Sequence, residues 1–306
     1  MAYKTHGKLK VGRFRTTSVV IFIFLGPSLF TISFFFILPV VLAFFISLTD
    51  FDIYSLGNLS LVRFIGMENY KKLFEDPLFW KSLFNTFYFV FVGGPISILV
   101  SLLSALFINS KLTKFKKLIR FMFFAPVVTT LVAVAIVWRY LYHPRFGAFN
   151  YFLSILGINP INWLGDPRFA MPAIILLAVW KNFGYNMLIF LAGLQNIPEE
   201  LYEAAKIDGA SAFQQFKNIT LPMLAPTTLF VTLTTMIGYF QLFAEPYVMT
   251  QGGPMNSTLS IVLLMYQHGF RWWNMGYSTT IAFSLFFIIL VFSILQLKIQ
   301  RKGYAL

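Results

Sequence analysis

The sequence has no cysteine, which excludes a disulfide framework and any metal or redox site built from thiolates. Acids are scarce: 11 Asp and Glu stand against 24 Lys and Arg, a formal charge of +13, with only 3 histidines. Charged residues make up 11% of the 306, against about 25% in a soluble domain. His6, His143 and His268 lie far apart, and no HExxH occurs. The chain also lacks a GxxxxGK[ST] phosphate loop and a GxSxG nucleophile turn. No local motif for metal hydrolysis, nucleophilic catalysis or ATP binding is therefore present.

Apolar residues fill the gap. They reach 58%, with 38 Phe, and the mean hydropathy is +0.74. Runs at about 19–48, 83–108, 121–142, 170–194, 223–249 and 279–297 are long enough to cross a bilayer. Pro27 and Pro39 either kink the first run or set off a short interfacial turn. Gly93-Gly94-Pro95 breaks the second, and Gln251-Gly252-Gly253-Pro254 closes the fifth. Between the first two runs, 69–74 and 76–84 read as short surface helices. Trp272 and Trp273 suit the interfacial belt near the last run. The expected fold class is an all-α membrane protein with six transmembrane helices.

Six spans put both termini on one side. That side carries Lys4, Lys8, Lys10, Arg13 and Arg15 in a basic arm (residues 1–17) without an acid. It also carries Lys111, Lys114, Lys116, Lys117 and Arg120 after the second span, and Lys298, Arg301 and Lys302 at the tail. The positive-inside rule assigns these segments and both termini to the cytoplasm. Topology and lipid headgroups thus account for the excess charge without nucleic acid.

The polar loop at 198–222, between the fourth and fifth spans, falls on that same side. Pro198 with Glu199 and Glu200 suits the first turn of a helix. Gly209 is its expected stop, and Ser211 caps a second helix expected to end before Pro222. The spacing Glu203-Ala204-Ala205, Gly209, then Ile219-Thr220-Leu221-Pro222 resembles the cytoplasmic coupling loop of ABC importer permeases. Leu194 to Pro198 and the Gly252-Gly253-Pro254 triplet resemble the carbohydrate branch, near the maltose and glycerol-phosphate permease subunits, in its compact form.

The resemblance covers residues 18–306 and implies a permease domain in a prokaryotic inner or plasma membrane. It implies a second homologous permease, an ATPase dimer carrying ATP and Mg, an extracytoplasmic solute-binding protein, and a carbohydrate substrate. No cofactor and no catalysis are expected on this chain. Glu203, Ala204, Ala205, Asp208, Gly209, Ile219, Leu221 and Pro222 would meet or shape the contact with the ATPase, Ile219 and Leu221 as anchors.

A sugar site needs hydrogen-bonding groups and flat apolar faces. Asn182, Tyr185 and Asn186 share a face of the fourth span. Thr235, Gly238, Tyr239 and Leu242 form a helical stripe on the fifth, with Gln241 and Glu245 as a second i, i+4 pair. The permeases resembled line their sugar site at these two places. Glu245 is the one acid placed within a span, so it should face a cavity or a cation, with Lys181 and Arg139 as candidates. An ion-driven secondary transporter, which would want inverted repeats and coordinating carboxylates, is one alternative. A permease of this architecture for a non-sugar solute is the other.

Overall fold

The computed structural model describes residues 23–303; the basic arm and the first residues of the first apolar run lie outside them. Helix α1 (Ile23–Ser47) is a continuous span. A loop follows, pinned by bridges between Thr49 and Phe64 and between Asp52 and Asn274. α2 (Glu68–Glu75) is the first expected surface helix. The second, 76–84, is not separate: it is the cap and roughly the first two turns of the span α3 (Pro77–Asn109). Asp76 caps α3 by accepting from the Leu78 N–H, with Pro77 at the first helical position.

The expected third span is two helices, α4 (Lys116–Val128) and α5 (Leu131–Leu141), bent by 99°. Thr129 and Thr130 are extended at the break. The Thr129 hydroxyl donates to the Pro126 carbonyl at 2.6 Å, a local bond that competes with helix continuation. α6 (Ala148–Ile155) lies in the following loop, where Asn150 bonds Pro144, Ile161 and Trp163. α7 (Pro167–Gln195) repeats the Asp-Pro start, with Asp166 accepting from Arg168 N–H.

Beyond it, α8 (Glu199–Ile207) and α9 (Ala212–Gln215) form the polar loop, and a π turn (Phe216–Thr220) joins α9 to Leu221–Met223. The fifth apolar run is α10 (Ala225–Phe240) and α11 (Ala244–Met249), interrupted at residues 241–243. α12 (Ile261–Tyr266), continued by a π turn (Gln267–Arg271), lies between the fifth and sixth apolar runs. α13 (Met275–Gly303) closes the chain. Among the described residues, five helices are long and apolar enough to cross a membrane, six if α4 and α5 count as one span.

π turns end two residues before Pro39, Pro95 and Pro222. Proline lacks the N–H for an i to i−4 bond, and its ring crowds the carbonyl of residue i−4. Widening the preceding turn by one residue relieves both problems without ending the helix. The helix therefore runs through Pro222, where the sequence had suggested a stop, and Pro39 leaves α1 continuous.

α7 is the centre of the bundle. In its most apolar stretch 61% of residues are buried, against none in that of α1. It packs most extensively on α3. One core gathers Ile174, Leu177 and Ala178 with Phe89, Phe240 and Ile261. A second, toward the polar loop, gathers Phe190, Leu191 and Leu194 with Ile108 and Leu224. α4 approaches α7 backbone to side at Gly184, where a Cβ would overlap the Phe123 carbonyl. A Cβ at Gly238 would meet open space. Gly184→Val should therefore lower the thermal midpoint of the purified protein by several degrees, an overpacking cost of ~1–3 kcal/mol. Gly238→Ala should leave it unchanged, and both are readable by fluorescence-detected size exclusion after heating.

Candidate functional site

A cavity of about 450 Å³ opens between the α4–α5 break, α7 and the α10–α11 interruption. All nine residues expected at a binding site border it. Asn182, Tyr185 and Asn186 come from α7; Thr235, Gly238 and Tyr239 from α10; Gln241, Leu242 and Glu245 from the interruption and α11. The expected helical pairing of Gln241 with Glu245 is not kept. α10 ends at Phe240, and the irregular backbone of Phe243 (φ −141°, ψ −59°) breaks the register. The two side chains reach the cavity by the turn instead.

Their roles in the wall differ. Asn186 donates to the Thr235 hydroxyl at 2.8 Å in a buried bond that ties α7 to α10. Tyr185 is 53% exposed, and its ring offers a flat face. Tyr239 packs its ring on Phe89 at 4.8 Å between centroids. Its hydroxyl, beside Ser97 and Asn182, is buried without a hydrogen bond among the described residues. The ring, not the hydroxyl, is therefore what Tyr239 presents at the cavity wall. Leu242 is buried, and its carbonyl accepts from Ser260 at 2.6 Å, which satisfies the backbone where α10 stops.

Glu245 is 9% exposed and lies in the first turn of α11, where a helix dipole favours negative charge. Neither cation considered for it forms an ion pair with it among the described residues. The Arg139 guanidinium lies 3.5 Å from the Val248 carbonyl. Lys181, 8% exposed, donates to the Val127 carbonyl at 3.0 Å, though its charge still acts on Glu245. Val127 lies one residue before the end of α4, so the ammonium caps a half-helix at its negative end.

Phe89, Val127, Leu131, Thr234, Phe243 and Ala244 also line the cavity. Sequence reading missed them. Val127 and Leu131 face it only because α4 and α5 diverge between them, and the Thr129-Thr130 pair was the signal for that break.

The polar loop forms the second surface. Pro198 occupies the cap position and α8 begins at Glu199. Glu203, Ala204 and Asp208 are exposed, and Ala205 is half-buried. Gly209 has φ +77°, a left-handed conformation that stops α8. Ser211 and Gln214 form a reciprocal capping box at 3.3 and 2.7 Å. Tyr202 and Thr220 bond at 2.8 Å, clasping the two halves.

Of the two expected anchors, Ile219 packs on the second core, but Leu221 is 45% exposed. The π turn before Pro222 rotates Leu221 outward, and buried Thr220 takes its place. Lys111 pairs with Glu199 at 2.6 Å, which ties the end of α3 to the start of α8. Each group holds the other charged: the Glu199 carboxyl is pulled down and the Lys111 ammonium pushed up, chiefly by the hydrogen bond between them.

Residues 79–302 match the family of binding-protein-dependent transport system inner membrane components. The chain is 38% identical over 285 residues to the lactose transport system permease protein of Rhizobium radiobacter, covering 92% of this chain and 93% of that one. It is also 38% identical to the arabinooligosaccharides permease protein of Bacillus subtilis, with 91% and 88% covered. The trehalose/maltose permease protein of Thermococcus litoralis is again 38% identical, with 90% and 91% covered.

Among solved structures, a chain of a bacterial ABC transporter that imports the acidic polysaccharide alginate shares the fold. The TM-score is 0.80 at 20% identity, covering 96% of this chain and 99% of that one. The chain belongs to the inner-membrane components of binding-protein-dependent transport systems. It is a multi-pass membrane subunit, and its part is transport.

Lys181→Met should leave the Val127 carbonyl unpaired and destabilise the fold by ~1–3 kcal/mol. The expected readout is a lower thermal midpoint in detergent. An unchanged midpoint would show that the α4 end is held by other contacts.

Proposed function

We propose that this chain is one permease subunit of an ATP-driven importer whose cargo is a carbohydrate delivered by an extracytoplasmic binding protein. One observation carries the reading. A single helix, α7, runs from an amide- and aromatic-lined cavity at Asn182 and Tyr185 to the exposed loop bearing the Glu203-Ala204-Ala205, Gly209 spacing. Amides, hydroxyls and a ring face suit the alternating polar edge and flat face of a sugar. Relatives that carry lactose, arabinooligosaccharides and trehalose/maltose in their names support the same cargo class.

In this reading a second, homologous permease completes the pathway, and two ATPase subunits below hold one coupling loop each. ATP and Mg reside on those subunits. Glu203 makes a charged contact, Ala204 and Ala205 permit close approach, Gly209 supplies the turn, and Asp208, Leu221 and Pro222 flank the docked face. Ile207 and Phe213, 87% and 72% exposed, stand on either side of Gly209 as the apolar residues a cleft would cover. Closure of the ATPase pair moves the loops as rigid bodies, and the bundles swing from inward-open to outward-open. The loaded binding protein then opens against the outer face, and hydrolysis resets the cycle.

Affinity purification of the tagged chain in mild detergent should bring down a second permease and a Walker-motif ATPase. In that complex, Glu203→Lys and Gly209→Pro should abolish stimulation of ATP hydrolysis by the loaded binding protein while leaving assembly of the two permeases intact. Proline fixes φ near −65°, so it cannot adopt the left-handed turn. A chain that purified alone and drove uptake in ATP-free vesicles would overturn the reading.

The reading also places the Lys114 loop in the cytoplasm. Because the chain has no cysteine, Lys114→Cys and Ile158→Cys each introduce a single label site. An impermeant maleimide applied outside should modify the second only.

A further inference from the structure

The cavity wall holds one carboxylate and no cation. Among the described residues that line it, Glu245 is the only Asp, Glu, Lys, Arg or His. Neither candidate cation faces it directly: Lys181 is directed to the Val127 carbonyl, and Arg139 lies by that of Val248. The Lys181 charge acts on Glu245 from behind the wall, so with Glu245 ionised the two balance and the cavity face itself presents only the carboxylate. An anionic sugar entering this space sheds water and meets a carboxylate but no cation among the described lining residues, a desolvation cost left without a direct partner. A neutral sugar loses little, because the Asn182 and Gln241 side chains offer replacement hydrogen bonds. An ammonium on an amino sugar gains a charge-assisted bond to Glu245.

We propose that this chain's half of the pathway admits neutral and amino-bearing sugars and rejects uronates and sugar phosphates, with Glu245 as the residue that sets the preference. The inference rests on the carbohydrate reading above and narrows its cargo. The architecture itself does not impose the exclusion. A transporter chain of the same fold, at 20% identity, belongs to a system that imports an acidic polysaccharide. Charge selection must therefore lie in the side chains that line the path.

The test uses the complete transporter in lipid nanodiscs without its binding protein, so that binding to the membrane subunits alone is read. Maltose and lactose serve as neutral probes, the disaccharide of glucosamine as the amino probe and digalacturonate as the anionic probe, each titrated calorimetrically. The neutral and amino probes should bind, and digalacturonate should bind more weakly by about tenfold or more. Glu245→Gln should abolish the advantage of the amino over the neutral probe. Glu245→Lys should shift the digalacturonate-to-maltose affinity ratio upward by about tenfold.

Digalacturonate bound by the unmodified transporter as tightly as maltose or lactose would overturn the exclusion. An amino-to-neutral ratio unchanged in Glu245→Gln would remove Glu245 as its determinant, and this variant decides the matter if Glu245→Lys fails to assemble. Binding of none of the probes, with no sugar uptake in vesicles, would instead overturn the carbohydrate reading on which the inference stands.

Discussion

A bilayer interior offers no water to a freed peptide group, so any helix that stops there must find partners for its backbone inside the protein. This chain stops helices twice beside one cavity, at Thr129-Thr130 and at residues 241–243. Each stop is repaired by a side chain from another element. Lys181 on α7 takes the Val127 carbonyl, and Ser260 before α12 takes that of Leu242. The polar residues that look expensive in an apolar sequence are thus what allow irregular backbone at depth. Irregular backbone is what opens the space that Asn182, Tyr239 and Glu245 border.

The same economy links the cavity to the far end of α7. Asn186 ties α7 to α10 through Thr235. Roughly one and two turns further along, Phe190 and Leu194 pack in the second core, which also receives Ile219 from the coupling segment. Tyr202–Thr220 and Lys111–Glu199 then fasten that segment to itself and to the end of α3. The clasp is partly buried and the ion pair is exposed, so the pair orients the loop more than it stabilises it. The chain from cavity to loop is a continuous packed body, which suits transmission of a rigid-body motion.

Much of this was legible in the sequence because its signals are physical at short range. Apolar run length gave the spans, since a bilayer demands it. Gly209 and the Ser211–Gln214 box gave the loop's turn, since left-handed backbone and orphan amide groups demand specific residues. Asn182, Tyr185 and Asn186 on α7 and Thr235, Gly238 and Tyr239 on α10 were legible as helical faces. Gln241, Leu242 and Glu245 instead reach the cavity through a turn that the helical pattern did not foresee. What escaped reading depends on long-range geometry. The break in the third apolar run rests on a lysine 54 positions away in sequence. α12 is held by Thr86 and Asn85 of α3, which bond Ile261 and Leu259 across more than 170 residues. The exposed position of Leu221 follows from a π turn that no apolar periodicity announces.

Those π turns bear on descent as well as on shape. Each one before Pro39, Pro95 and Pro222 holds a residue more than an α-helical turn would. Removing that residue together with the proline would restore an ordinary helix while keeping every face beyond it in register. Removing either alone would turn the downstream face by about 100° or leave the crowded carbonyl unrelieved. Loss of the proline and loss of one residue should therefore be inherited together, and single-position gaps in alignments of relatives should fall at these three places.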